Sequence, residues 1–133
     1  MSEENVETVR RWWAGFNQEG LPPFDLCDER IEIRNPEGFP NTGPYYGHEG
    51  VRQWASDAWE VVEGVRVEPE EVLEVGDRTT VVVVLRTTGR MRHTGIPANV
   101  QWAAVFTMRD GKLFHAQGYL SKAEALEAVG LSE

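Results

Sequence analysis

The sequence predicts an α+β domain: a curved antiparallel sheet wrapped around N-terminal helices, making a cone with an internal pocket. Three observations predict it. Two amphipathic stretches bearing tryptophan come early, and each reads as a helix with one buried stripe. A run of hairpin-connected strands follows from Val65. The last third, NVQWAAVFTM-RDGK-LFHAQGYL-SKAEALEA (Asn99 to Ala128), reads as strand, tight turn, strand and capped helix. At 133 residues the chain is one domain, 1–133, long enough for a single good core.

Each element has its own signal. Ser2 can cap a first helix with Glu3 and Glu4 in its first turn, and Val6, Val9, Trp13 and Phe16 recur at helical spacing beside Trp12. Gly20 ends it. Pro22-Pro23 open a short second helix over Phe24, Leu26 and Cys27, and Ile31 and Ile33 make a brief strand stopped by Asn35-Pro36. The stretch PEGFPNTGPYYG (Pro36 to Gly47) is an irregular loop with three aromatic residues. Val51, Trp54, Ala55, Ala58, Trp59 and Val62 then define a helix closed by Gly64. Val65–Val75 is an acidic, solvated strand, and Gly76-Asp77 turns into Thr79–Thr88, whose Val81–Leu85 core is apolar on both faces like a central strand. Gly89 to Ala98 is a longer connection. Asp110-Gly111 favours a type I′ turn, and Ser121 with Glu124 forms a capping box on the last helix.

Composition removes several function classes. The net charge of −9, from 13 basic and 22 acidic residues, is wrong for a nucleic-acid partner or an anionic membrane surface. One cysteine, Cys27, leaves no intrachain disulfide and fits a reducing compartment; its acidic neighbours give it a structural role. The N-terminus MSEENVE lacks an apolar core for a signal peptide, and no apolar run is long enough to span a membrane, so a cytoplasmic protein is expected. His48, His93 and His115 have no metal-site spacing, and no metal or cofactor is expected.

Four stretches carry a resemblance: VRRWWAGFN (Val9–Asn17), IEIRNPEG (Ile31–Gly38), GHEGVRQW (Gly47–Trp54) and DGKLFHAQGYLSKAEALEAVGL (Asp110–Leu131). Together they resemble the nuclear transport factor 2-like (NTF2-like) superfamily, and within it the SnoaL-like and ketosteroid isomerase-like group. The resemblance implies the cone fold and a pocket, but not one activity, because the fold hosts isomerases, cyclases, dehydratases, epoxide hydrolases and non-catalytic binders. It also implies where catalytic groups would sit. The isomerase general base would fall on Asn35, its oxyanion-hole pair on Trp12 and, within one residue, Ala103. The last-strand acid of relatives would fall on Gly118. None of these can transfer a proton near neutral pH.

If each pair in the last hairpin steps outward from Asp110-Gly111 by one, its two faces separate cleanly. Gln101, Ala103, Val105 and Thr107 share a face with Phe114, Ala116, Gly118 and Leu120. The expected pocket is then lined by Trp12, Trp13, Phe16, Asn35, Trp54, Ala103, Val105, Phe114, Ala116 and Gly118, with His48 and Tyr46 as candidate polar groups. The opposite face, with Trp102, Phe106, Met108, His115, Gln117 and Tyr119, is expected to be a homodimer interface, being aromatic and poor in charge. Two function classes stay open. One is a cofactor-independent isomerase, cyclase or hydratase acting on a small, largely apolar organic molecule, which requires a titratable group in the pocket. The other is a non-catalytic binding or dimeric interaction domain.

Overall fold

The computed structural model describes residues 2–76 and 79–131. Helix α1 spans Ser2–Glu19, and a single 3₁₀ turn at Phe24–Leu26 leads into strand β1, Cys27–Arg34. A two-residue strand β2, Tyr45–Tyr46, precedes helix α2, Gly47–Val61. Strands β3 (Val62–Glu74), β4 (Thr80–Met91), β5 (Pro97–Arg109) and β6 (Lys112–Tyr119) follow, and helix α3, Lys122–Ala128, closes the chain. The expected cap at Ser2 falls on a side chain outside the described set, and the expected turn at Gly76-Asp77 falls partly on residues outside it.

One six-stranded sheet runs in the order β2-β1-β6-β5-β4-β3. Every neighbouring pair is antiparallel except β1 and β6, which pair in parallel. The parallel pair exists because β1 is reached from the helical segment, whereas β6 arrives through a hairpin from β5. The expected long connection at 89–98 is half strand: β4 runs on to Met91 and β5 starts at Pro97. Pro69 is tolerated inside β3 because that strand is an edge, and the register shifts beside it.

Helices α1 and α2 fill the concave side. The buried stripe of α1 is Asn5, Val9, Trp12, Trp13 and Phe16, and that of α2 is Val51, Trp54 and Ala55. Against them pack Val81, Val83 and Leu85 of β4 and Trp102, Ala104, Phe106 and Met108 of β5. The convex side has a smaller cluster, where Ala125 and Leu126 of α3 cover Val82, Ala103 and Val105. The Ser121 half of the expected capping box forms, with Ser121 Oγ accepting from the Glu124 N–H at 3.1 Å.

The β5–β6 hairpin departs from its expected facing. Asp110 and Gly111 take the positive φ of 52° and 77° that a type I′ turn requires, and Arg109–Lys112 and Met108–Leu113 pair as expected. Then the register shifts: Thr107 pairs with His115, so Phe114 has no counterpart and forms a bulge. Beyond it Phe106 pairs with Ala116 and Ala104 with Gly118. Ala116 and Gly118 therefore share the inner face with Trp102, Ala104 and Phe106, while Ala103 and Val105 turn outward under α3. Trp102 and Phe106 are 5% and 1% exposed and belong to the core, so they cannot form a dimer surface. Phe114 is covered by the Arg109 guanidinium, 4.0 Å from its ring centre.

A side chain not anticipated from sequence fixes α1 to the sheet edge. Asn17 Nδ2 donates to the Val67 carbonyl and Asn17 Oδ1 accepts from the Val67 N–H, both at 2.8 Å. One amide thus satisfies both free backbone groups of an edge-strand residue. Replacing Asn17 by Ala leaves those groups unpaired, and urea unfolding of Asn17→Ala should show a loss of about 1–3 kcal/mol. A midpoint equal to wild type would show that the clamp contributes nothing.

Candidate functional site

The cone is filled unevenly. At its narrow end the rings of Trp12, Trp13, Trp54 and Phe106 pack mostly edge-to-face or tilted, with centroids 4.7–6.0 Å apart. Only a void of about 10 Å³ remains there, bordered by Asn35, Ala104, Ala116 and Gly118 among others. At the wide end a cavity of about 320 Å³ opens between α1, α2, β3, the outer parts of β4 and β5, and the loop after β1. That volume suits a small organic molecule.

The cavity wall is mostly apolar. Phe16 comes from α1, Trp54 and Ala58 from α2, Val65 and Val67 from β3, Met91 from β4, and Ala98, Val100 and Trp102 from β5. Phe39 of the aromatic loop lies against Trp102, with ring centres 5.4 Å apart, so this loop does fold over the cavity. The polar groups are few. Thr87 is occupied by an indole, since Trp102 Nε1 donates to its Oγ1 at 2.8 Å. Asn35 accepts from Trp54 Nε1 at 3.0 Å and donates to the Asn41 carbonyl at 2.7 Å, while its backbone N–H donates to the Thr42 carbonyl. Asn35 thereby ties the aromatic loop to α2 at the cavity wall. Asp57 accepts from Tyr45 Oη at 2.6 Å and from Gln53 Nε2 at 2.7 Å.

Of the residues expected to line the pocket, Phe16, Asn35 and Trp54 border the large cavity. Trp12, Trp13, Ala116 and Gly118 border only the small void. Ala103, Val105 and Phe114 lie elsewhere, for the register reason given above. His48 is half-buried; its Nε2 lies 3.1 Å from the Cys27 carbonyl oxygen and its ring stacks on Phe24 at 4.9 Å, outside the cavity. Tyr46 is 61% exposed on β2 and also lies outside it. His115, Gln117 and Tyr119 point to the convex side, where His115 Nε2 is 3.7 Å from a Glu32 oxygen and Tyr119 packs on the α3 cluster.

Asp57 was missed by sequence reasoning. It sits on the α2 pattern two residues before Trp59 and reads as a solvated helix position. Nothing local distinguishes it from Glu60 or Glu49; only the curvature of the sheet brings a cavity to its side.

The positions where relatives would carry acids are closed as well as neutral. A Cβ on Gly118 would lie 2.5 Å from Pro36 Cδ and 2.8 Å from Pro36 N, so no side chain fits there without moving the β1 exit. Trp12 gives its indole N–H to Cys27 Sγ at 3.3 Å rather than to the cavity. The Cys27 thiol is held above its usual range, first by burial, against the lowering effect of the Trp12 hydrogen bond. Among the described residues no group of three His, Cys, Asp or Glu side chains could hold a metal ion, and no helix is long and apolar enough to cross a membrane.

The family model for the SnoaL-like domain matches residues 9–116, well over half of the chain. The chain belongs to the SnoaL-like domain family. Several solved structures share the fold of this SnoaL-like domain. Bal32a, from a soil-derived mobile gene cassette, superposes with a TM-score of 0.78 at 23% identity, over 93% of this chain and 94% of its own. TerC, co-crystallised with polyporic acid, gives 0.74 at 26% identity, over 96% and 98%. A putative SnoaL-like polyketide cyclase from Jannaschia sp. CCS1 gives 0.72 at 20% identity, over 88% and 85%. No curated protein matches the chain significantly. The NTF2-like, SnoaL-like resemblance drawn from the sequence thus holds for family and fold.

The Tyr45 phenol is pushed well above its ordinary range, chiefly by burial and further by its hydrogen bond to Asp57 and the Asp57 charge. The folded protein keeps this phenol protonated at pH values where the unfolded chain, with a pKa of about 10, releases the proton. The stabilisation is therefore complete below about pH 10 and is lost as pH rises from there toward the folded value. In unfolding measured across pH 7–11, wild type should exceed Tyr45→Phe in stability at neutral pH by about 1 kcal/mol. That advantage should shrink above about pH 10. A constant difference over the whole range would show that the phenol does not titrate differently in the two states.

Proposed function

We propose that this SnoaL-like domain binds a small, largely apolar organic molecule in the wide-end cavity. The observation that carries the reading is the cavity itself: about 320 Å³, walled by aliphatic and aromatic side chains, in a fold whose narrow end is otherwise filled by rings. A concave, largely apolar space of this size is the usual setting of a small-molecule site. TerC, at 26% identity, was co-crystallised with polyporic acid, itself an organic molecule, which supports the same reading.

A second reading, a cofactor-independent enzyme, has one observation in its favour. Asp57 places a proton acceptor in the cavity wall, which the expectation of an enzyme required and the carried-over positions lacked. The family supplies context, since a polyketide cyclase assignment occurs among the solved relatives. Binding is common to both readings and is the conclusion drawn.

The test is a thermal-shift screen of apolar aromatic fragments against wild type and Ala58→Trp, which places an indole in the cavity. At 100 times Kd a ligand should add about 2.7 kcal/mol of stability to wild type. The shift should vanish in the folded variant; equal shifts in both proteins would place binding elsewhere.

We also propose that two copies pair through the convex face at β6, where His115, Gln117 and Tyr119 are half-buried and Tyr119 packs on the α3 cluster. This patch is smaller and more polar than a face carrying Trp102 and Phe106, so the pairing is expected to be of modest strength. Equilibrium sedimentation should show a dimer whose dissociation constant rises at least severalfold in Tyr119→Lys. A monomer at micromolar concentration refutes the pairing.

A further inference from the structure

Among the described residues, Asp57 is the one charged side chain that lines the cavity. Its two hydrogen-bond donors, Tyr45 and Gln53, are neutral, so they orient the carboxylate without cancelling its charge. Among the described residues no Lys, Arg or His pairs with it. Each carboxylate oxygen accepts one bond and retains a free lone pair. The rest of the wall includes the rings of Phe16, Phe39, Trp54 and Trp102.

An unneutralised anion in an aromatic, partly desolvated cavity has a definite chemical preference. It forms charge-assisted hydrogen bonds with an N⁺–H donor, and aromatic faces add cation–π attraction. It repels a carboxylate or phosphate in the same space, and the net charge of −9 acts in the same direction at longer range. Proton transfer is a poorer use of the same geometry. As a general base Asp57 would act alone, because among the described residues the cavity lining holds no second titratable side chain to serve as the acid.

We propose that the cavity takes a ligand bearing a protonated amine on an apolar body, with Asp57 as its counter-ion and Tyr45 as the residue that orients Asp57. The proposal rests on the reading of the cavity as a ligand site and names the ligand's chemical class.

The test is calorimetric titration of the full chain with three probes of matched size: naphthylmethylamine, naphthylmethanol and naphthoate. The amine should bind about tenfold more tightly than the alcohol, and naphthoate most weakly. In Asp57→Asn the amine should fall to the affinity of the alcohol, which itself stays unchanged. Tyr45→Phe, which keeps the charge and removes one orienting donor, should weaken the amine alone by severalfold. If Asp57→Asn does not fold, the wild-type ranking decides. An alcohol that binds as tightly as the amine, or an amine preference that survives in Asp57→Asn, overturns the counter-ion and leaves the ligand site standing. If none of the three binds, the ligand site falls and the counter-ion with it.

Discussion

The extra residue in β6 at Phe114 controls which side chains of the last hairpin meet the helices, and most of the interior depends on it. Side chains alternate along a strand, so one unpaired residue reverses the facing of everything beyond it relative to the partner strand. With the bulge, Ala116 and Gly118 lie beside Phe106 and Ala104. Small residues on β6 thus accompany large ones on β5, and the Trp12–Trp13 pair of α1 can settle against both. Without it, Phe106 would oppose His115 and the inner face would carry an imidazole. The bulge also frees Phe114 to sit under the Arg109 guanidinium, which in turn reaches Asp28 at 3.2 Å.

The ring cluster that settles on this floor has a cost at Trp13. Its indole N–H is buried and lacks a hydrogen-bond partner among the described residues, a penalty of about 1–3 kcal/mol. The neighbouring rings of Trp12 and Trp102 stand at 82° and 88° to it, orientations in which edges meet faces and recover part of that loss. Filling the narrow end so densely leaves the remaining space at the wide end, between α1, α2, β3 and the outer parts of β4 and β5. Asn17 holds β3 to α1, and Asn35 holds the aromatic loop to α2, so two amides that each make paired hydrogen bonds fix elements that form the cavity wall.

Elements whose signals are local were legible in the sequence. The helical stripes of α1 and α2, the central valine run of β4, the Asp110-Gly111 turn and the Ser121 cap all appear within a residue or two of their expected places. Facing was not legible, because a bulge depends on how β6 sits between β1 and β5 rather than on its own residues. That one shift moved Ala103 and Val105 out of the expected pocket and Trp102 into it. The cavity itself escaped for a related reason. Its wall is drawn from six elements, and Val65, Thr87, Met91 and Ala98 converge only once the sheet curves.

The same logic explains why family positions mislead for this chain. Transferring an acid from a relative presumes that the space beside it is retained. At Gly118 that space is taken by Pro36, and at Asn35 both functional atoms of the amide are already committed to the loop and to Trp54. A carboxylate in place of Asn35 would lose the N–H that binds the Asn41 carbonyl and would set two acceptors facing each other. The chain carries its cavity charge instead on α2, where Tyr45 and Gln53 hold Asp57. The one charge among the described residues of the cavity lining therefore has an orientation set by this chain's own residues, Tyr45 and Gln53.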